Sequence, residues 1–313
     1  MPDILSLIFN ILTSALPCCL LAIGIFLTFR LLDFADMTAE GSFLLGASLC
    51  AACIYNGMNP FIATFLGMLA GVACGIVTGV LNRVLKIPKL LSGIITLTAT
   101  MSIAMMIMGT TVGKMFYSQI PIDIEAGQQT IYSVFYPGNV WNRAIEALVM
   151  LVVVFIVIIA IYYFFGTEYG MAIRATGMNE VMARSQGINT NLSTITCIAI
   201  SNGLIALAGA LFVQDNLNVS TISATGYLVV GLASIIMGEA IFGKRSFKNW
   251  LISVALGALV YFIIINTAQR FGFPTQLKNL LYAILITIAL CIPLIKKGFK
   301  SLFKNVGRRQ KTC

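Results

Sequence analysis

The sequence predicts an all-α, polytopic membrane protein with about nine transmembrane helices, and three observations carry that prediction. Of 313 residues, 59% are hydrophobic and only 10% are charged, whereas a soluble domain carries about 25% charged residues. The apolar residues fall in runs close to the roughly 20 residues that a membrane helix needs. The cations sit at the ends of those runs and divide unevenly between the two sides. Such a chain would aggregate in water, so lipid is its solvent.

The expected spans are 4–29, 39–57, 60–81, 90–112, 144–165, 192–213, 227–242, 250–266 and 279–295. The first follows Met1-Pro2-Asp3, which lacks the basic start of a secretory signal, and no small-residue cleavage site comes after it. It is therefore expected to remain as a span. The third carries Gly67, Gly71, Gly75 and Gly79. A four-residue step keeps them on one helical face, where another helix can approach closely. Between the fourth and fifth spans lies the longest external segment, 113–142, with Tyr117, Asp123, Glu125, Tyr132, Tyr136 and Trp141, and with Pro121 and Pro137. Its aromatics suit either docking of an external partner or, the favoured expectation, a place at the membrane interface.

Orientation follows from Lys and Arg. With the C-terminus inside, only Lys114, Arg143, Arg270 and Lys278 of the 20 cations fall outside. An N-out, C-in topology obeys the positive-inside rule. It leaves a basic tail, 296–313, in the cytoplasm. The net charge of +9 then reflects topology, and no nucleic-acid partner is expected. The whole chain reads as one transmembrane domain. Ala39-Glu40-Gly41-Ser42-Phe43-Leu44-Leu45-Gly46 is similar to Ala224-Thr225-Gly226-Tyr227-Leu228-Val229-Val230-Gly231. The first lies toward the inside and the second toward the outside. This suggests an inverted repeat of units at about 4–112 and 192–295, a transporter architecture with its pathway at the repeat interface.

The most informative segment is the polar island of the 166–190 loop, from Arg174 to Thr190. It is long enough for a short helix of its own, bounded by Gly177 and Gly187. Lying on the cytoplasmic face, such a helix has little to bury unless a partner covers it. Acidic residues near membrane depth are costly and suggest function. Asp33 is expected to pair with Arg30, and Glu239 with Lys244 or Arg245. Asp36, Thr38, Glu40 and Gly41 suit a broken helix beside a pathway, where exposed backbone is tolerated. Gln214, Asp215, Asn216, Ser220 and Thr221 form the outer counterpart.

Several chemistries are disfavoured. Cys50 and Cys53 form a CxxC, but on an apolar helix in a chain without histidine, so packing is expected and no metal site. Gly238 to Lys244 matches the start of a phosphate-binding loop. However, Arg245 stands where Ser or Thr would hold magnesium, and the segment ends a helix. No clustered nucleophile or acid marks an enzyme, and no cofactor is expected.

Three stretches together resemble a family. Asp33 to Gly41 is similar to a signature of an acidic residue and a small run ending in glycine. Arg174 to Thr190 resembles an R-A-x-G…A…G-I-N loop. Thr225-Gly226-Tyr227 leading to Met237-Gly238 resembles a G-Y…G span. The chain thus resembles permease subunits of ATP-binding-cassette importers for branched-chain amino acids, ribose and related solutes. Within them it looks closest to an uncharacterised branch linked with aromatic amino-acid uptake. The resemblance implies two permease copies, two cytoplasmic ATPases and an external solute-binding lipoprotein, in a bacterial cytoplasmic membrane. It implies that Met178 to Gln186 dock the ATPase, through Met178, Asn179, Glu180, Val181, Met182, Arg184 and Gln186, with Gly187 as terminator. Asp36-Met37-Thr38-Ala39-Glu40-Gly41 departs from the G-I-D-L-S-V-G run of ribose members, which argues against a sugar. The competing readings are a sugar or nucleoside permease, and an ion-driven secondary transporter. The latter needs buried relay groups, and this chain offers few.

Overall fold

The structure is a computed structural model that describes residues 2–113, 119–122, 129–131, 142–221, 225–244 and 246–270, with single positions at 280, 284 and 287. Helix α1 (Pro2–Phe26) runs into a π-helical turn, Leu27–Leu31. Then follow α2 (Thr38–Tyr55), α3 (Pro60–Arg83), α4 (Lys89–Val112), strand β1 (Gln119–Pro121) and α5 (Asn142–Phe164). Two short helices, α6 (Glu168–Met178) and α7 (Glu180–Ser185), lead to α8 (Thr190–Asn216) and strand β2 (Asn218–Ser220). Helices α9 (Tyr227–Phe242) and α10 (Phe247–Arg270) complete the described elements.

Seven of these helices are long and apolar enough to cross a membrane. At 16 residues, α9 is shorter, about 24 Å at 1.5 Å per residue. Eight of the expected spans thus correspond to helices. The expected span at 279–295, the tail 296–313 and the aromatics of the external segment lie outside the described residues. One feature departs from the all-α expectation. β1 and β2 pair antiparallel, with Ile120 opposite Val219, and Ile122 N–H donates to the Leu217 carbonyl at 2.9 Å. The 113–142 segment is therefore partly anchored to the end of α8 by backbone pairing.

Local chemistry sets the helix ends. Asn59 accepts from Phe61 N–H, and Pro60 takes the first position of α3, where its missing N–H costs nothing. Asn189 caps α8 in the same way through Leu192 N–H.

The core is built around α8. Of the apolar windows of α1, α2 and α8, 83%, 78% and 67% are buried, against 28% for α4 and 22% for α5. The glycine stripe of α3 explains the tightest contact. A Cβ at Gly75 would sit 2.6 Å from Ala199 Cα, and one at Gly79 3.0 Å from Ile195 Cα. At Gly71 it would strike Ala206 and the Asn202 carbonyl, and at Gly67 it would come within 2.8 Å of the Gly46 carbonyl oxygen. The stripe is therefore a packing seam within this chain, where backbones meet without intervening side chains.

Candidate coupling surface and membrane pathway

Helix α7 is short, and its two ends are closed by different means. At its start, Asn179 Oδ1 accepts from Met182 N–H at 3.0 Å. At its end, Gly187 adopts φ +80, Ile188 N–H donates to the Ala183 carbonyl and Gly187 N–H to that of Arg184. This pair of bonds is the Schellman closure that a glycine in the left-handed region permits. Gly177 does not bound the short helix as expected. It lies inside α6, where a Cβ would run into the Leu31 carbonyl, and the chain breaks at Asn179 instead. The lack of a side chain lets α6 seat directly on the π-helical turn.

Glu180 ties this arm to the bundle. Its Oε1 accepts from Arg83 at 2.7 Å, from Arg184 at 3.0 Å and from the Thr190 hydroxyl at 3.4 Å. Arg184 Nε also donates to Thr190 Oγ1 at 2.9 Å. Partial burial acts to raise the Glu180 carboxyl's pKa, but hydrogen bonding and charge from Arg83, with Arg184 and Thr190, outweigh it and hold the group below the usual carboxylate range. Beside these polar anchors stand Met178, Val181 and Met182, exposed by 89%, 81% and 64%. Gln186 and Gly187 are exposed as well. A six-residue helix, rigidly held and apolar on its free side, is suited to filling a groove on another molecule.

A second polar site lies in the middle of the bundle. The linker 32–37 turns the chain back, so that α2 starts deep inside. Asp36 Oδ1 accepts from Thr38 N–H at 2.9 Å, and its Oδ2 accepts from Asn202 Nδ2 at 2.7 Å. Ser42 donates to Asn202 Oδ1 at 2.7 Å. Asn202 is about 18 Å along α8 from Thr190. Thr38 is fully buried and bonds Thr78 at 3.0 Å. Gly41 faces α4, where a Cβ would strike Thr100. Glu40 is half-buried and points elsewhere: its Oε1 accepts from Gly226 N–H, at the start of α9, at 3.0 Å. One turn on, Phe43 stacks on Tyr227 with ring centroids 4.4 Å apart, and Phe212 packs on both rings at 5.6 and 5.4 Å. The two sequence-similar stretches thus meet at the starts of α2 and α9.

The outer residues lie at and just beyond the end of α8. Asn216 is exposed and donates to the Phe212 carbonyl, Ser220 lies in β2, and Asp215 and Thr221 are partly buried. The aromatic trio stands next to them, since Phe212 is one turn before Asn216. Gln214 acts as a brace. Its Nε2 donates to Thr64 Oγ1 at 2.7 Å, while its Oε1 accepts from Ile131 N–H at 2.9 Å.

The expected Asp33–Arg30 pair does not form. Arg30 instead bonds Glu239 at 2.7 Å. The other oxygen of Glu239 accepts from Trp250 Nε1 at 2.9 Å, and Lys244 approaches at 3.5 Å, as expected. Arg30 lies across from the end of α9, whereas Asp33 is turned outward at φ 50 and offers only its carbonyl, to Lys89. Arg245 is outside the described residues. Asn202 and Arg83 are the two residues of these sites that the sequence reading does not pick out. An amide inside an otherwise apolar span was the available signal for Asn202, since buried amides need partners. Among the described residues, no cluster of metal-binding side chains occurs.

Comparison with known proteins completes the picture. The chain is 35% identical over 281 residues to a tyrosine transport system permease protein of Clostridioides difficile, covering 89% of this chain and 88% of that one. An uncharacterised protein of Rickettsia prowazekii is 29% identical over 88% of this chain and 95% of its own length. A galactofuranose transporter permease protein of Escherichia coli is 30% identical, but over 47% of this chain and 42% of that one. The model of the branched-chain amino acid transport system permease component matches residues 7–290, from α1 to beyond α10, and the chain belongs to that family.

Proposed function

We propose that the chain is the membrane-spanning subunit of an ATP-binding-cassette importer, and that its solute is an amino acid. It is not itself an enzyme: a separate cytoplasmic ATPase hydrolyses ATP, and an external lipoprotein delivers the solute to a pair of permease copies. The reading places α7 on the cytoplasmic side, N-terminus out and C-terminus in, with the two repeats reorienting about a central pathway. The observation that carries it is the capped helix α7, anchored by Glu180 to Arg83 yet presenting Val181 and Met182 to solvent, with Met178 beside them at the end of α6. The tyrosine permease relative supports an amino acid. The galactofuranose relative supports a sugar, over less than half of the chain.

In this scheme α7 is the docking helix and Asp36, Thr38, Glu40 and Gly41, with Asp215, Asn216, Ser220 and Thr221, flank the pathway. The test is co-purification of the ATPase with the Val181→Asp, Met182→Asp double variant. Unpaired charge buried at a contact costs about 3–5 kcal/mol. The expected result is loss of the ATPase and of solute-stimulated hydrolysis from a permease that still inserts and folds. A double variant that keeps both would sink the docking role.

A further inference from the structure

The acidic side chains of the bundle are compensated in different ways, and one of them is incompletely so. Glu180 and Glu239 each have arginine at 2.7 Å. Asp36 has no cation among the described residues but has a donor on each oxygen, Thr38 N–H and Asn202 Nδ2. Glu40 has a single bond, from Gly226 N–H to Oε1. No described ion pair reaches it, and Oε2 has no donor among the described residues. It is nonetheless half-buried, at the depth where its neighbours Asp36 and Ser42 bond Asn202 in the middle of α8. A carboxylate at membrane depth without a cation is expensive and marks a functional position. The start of α9 offsets part of that cost, because a helix N-terminus favours negative charge. The second oxygen has no donor among the described residues and is not enclosed by protein.

We infer that Glu40 is the point at which the pathway recognises an ammonium group of the passing solute. The inference rests on the amino-acid reading above and sharpens it: the chemistry selected is a primary amine carried by a solute with an apolar or aromatic body. Three features fit that solute. Glu40 Oε2 supplies the missing acceptor for an N⁺–H donor, a charge-assisted bond stronger than a neutral one. Phe43 and Tyr227 lie within one turn of Glu40 and of its partner Gly226, and Phe212 of α8 packs on both rings, so the carboxylate stands against an aromatic wall. Gly226 holds the carboxylate through backbone alone, so the second oxygen stays free to bind and release. This position also joins the first turn of α2 to the start of α9, so occupancy of Glu40 bears on the junction of two helices that both start inside the bundle.

Glu40→Gln separates charge from architecture, because its amide oxygen still accepts from Gly226 N–H. The experiment is uptake of L-tyrosine by the assembled importer in proteoliposomes, comparing wild type, Glu40→Gln and Glu40→Asp, with the melting temperature of each permease measured alongside. Loss of one charge-assisted bond is expected to lower uptake by Glu40→Gln about tenfold or more, at an unchanged melting temperature, with Glu40→Asp recovering part of it. Uptake by Glu40→Gln at the wild-type rate overturns the inference and leaves the amino-acid reading standing. A loss of uptake matched by a fall in melting temperature also overturns it, since Glu40 then only holds α9 in place. A wild-type importer that carries solely a solute without an amine overturns both.

Discussion

The α7 arm and the centre of the bundle solve opposite problems with the same residue types. In the arm, the partly exposed Glu180 is met by an exposed Arg184, a mostly covered Arg83 and a buried Thr190, and the apolar residues are left outside. In the centre, Asp36 is met by a backbone N–H and an amide, and it and both its partners, Thr38 and Asn202, are buried. Ion pairs to a partly exposed carboxylate contribute about 0–1 kcal/mol each, so the arm is held by a few weak ties. A buried polar network is costly if any member is lost. The arm can therefore change partners without unfolding the bundle, whereas the centre tolerates little.

That contrast ranks the expected outcomes of substitution. Gly71→Leu should be the most damaging, at about 3 kcal/mol, because the new side chain overlaps Asn202 and Ala206 across the α3–α8 seam. A thermal melt in detergent should show it. A variant that melts like wild type would mean the seam is loose. Asn202→Leu should cost about 2 kcal/mol, since it strips a donor from Asp36 and an acceptor from Ser42. Melting temperature should fall while the ATPase still co-purifies, the reverse of the double aspartate variant in α7. Arg83→Ala should cost about 1 kcal/mol or less in stability, and its signature should be faster hydrogen exchange confined to α7. Exchange spreading through α8 would erase the distinction between the two regions.

The smallest effect is a pH dependence. Glu180 titrates below its ordinary value of 4.5 in the folded protein. A depressed folded value means that the anchor's stabilisation is fully present above the ordinary value and is lost as pH falls through the folded one. The α7 tie should be constant at neutral pH and loosen only in acid. Carbon NMR of the Glu180 carboxyl should give a midpoint below 4.5. A midpoint at or above it would show that burial wins over Arg83.

What the sequence revealed divides along the same line. The bounds of α9 match the apolar run at 227–242, because Gly226 and Gly243 flank it, both at positive φ. Gly187 as the end of α7 and the four-residue glycine step of α3 were legible for the same reason: local chemistry encodes them. The arginine on Glu180 comes from 97 positions away and the amide on Asp36 from 166, and no local spacing carries such pairings. The nearest cation in sequence misled for Asp33, because a turn of the backbone sent Arg30 to Glu239. The strand pair was hidden because three-residue strands have too little pattern to see.

The closure at Gly187 has a mechanical consequence. A loop between two helices usually acts as a soft joint. Here the end of α7 is bonded into a tight elbow, and Thr190, the first residue of α8, is gripped by both Glu180 and Arg184. A force applied to α7 finds no slack before α8, and α8 carries Asn202, which holds Asp36 and Ser42 on either side of Glu40. The two helices form a bent lever with its short arm in solvent and its long arm through the core, and a tilt of a few degrees at one end becomes a displacement of ångströms at the other.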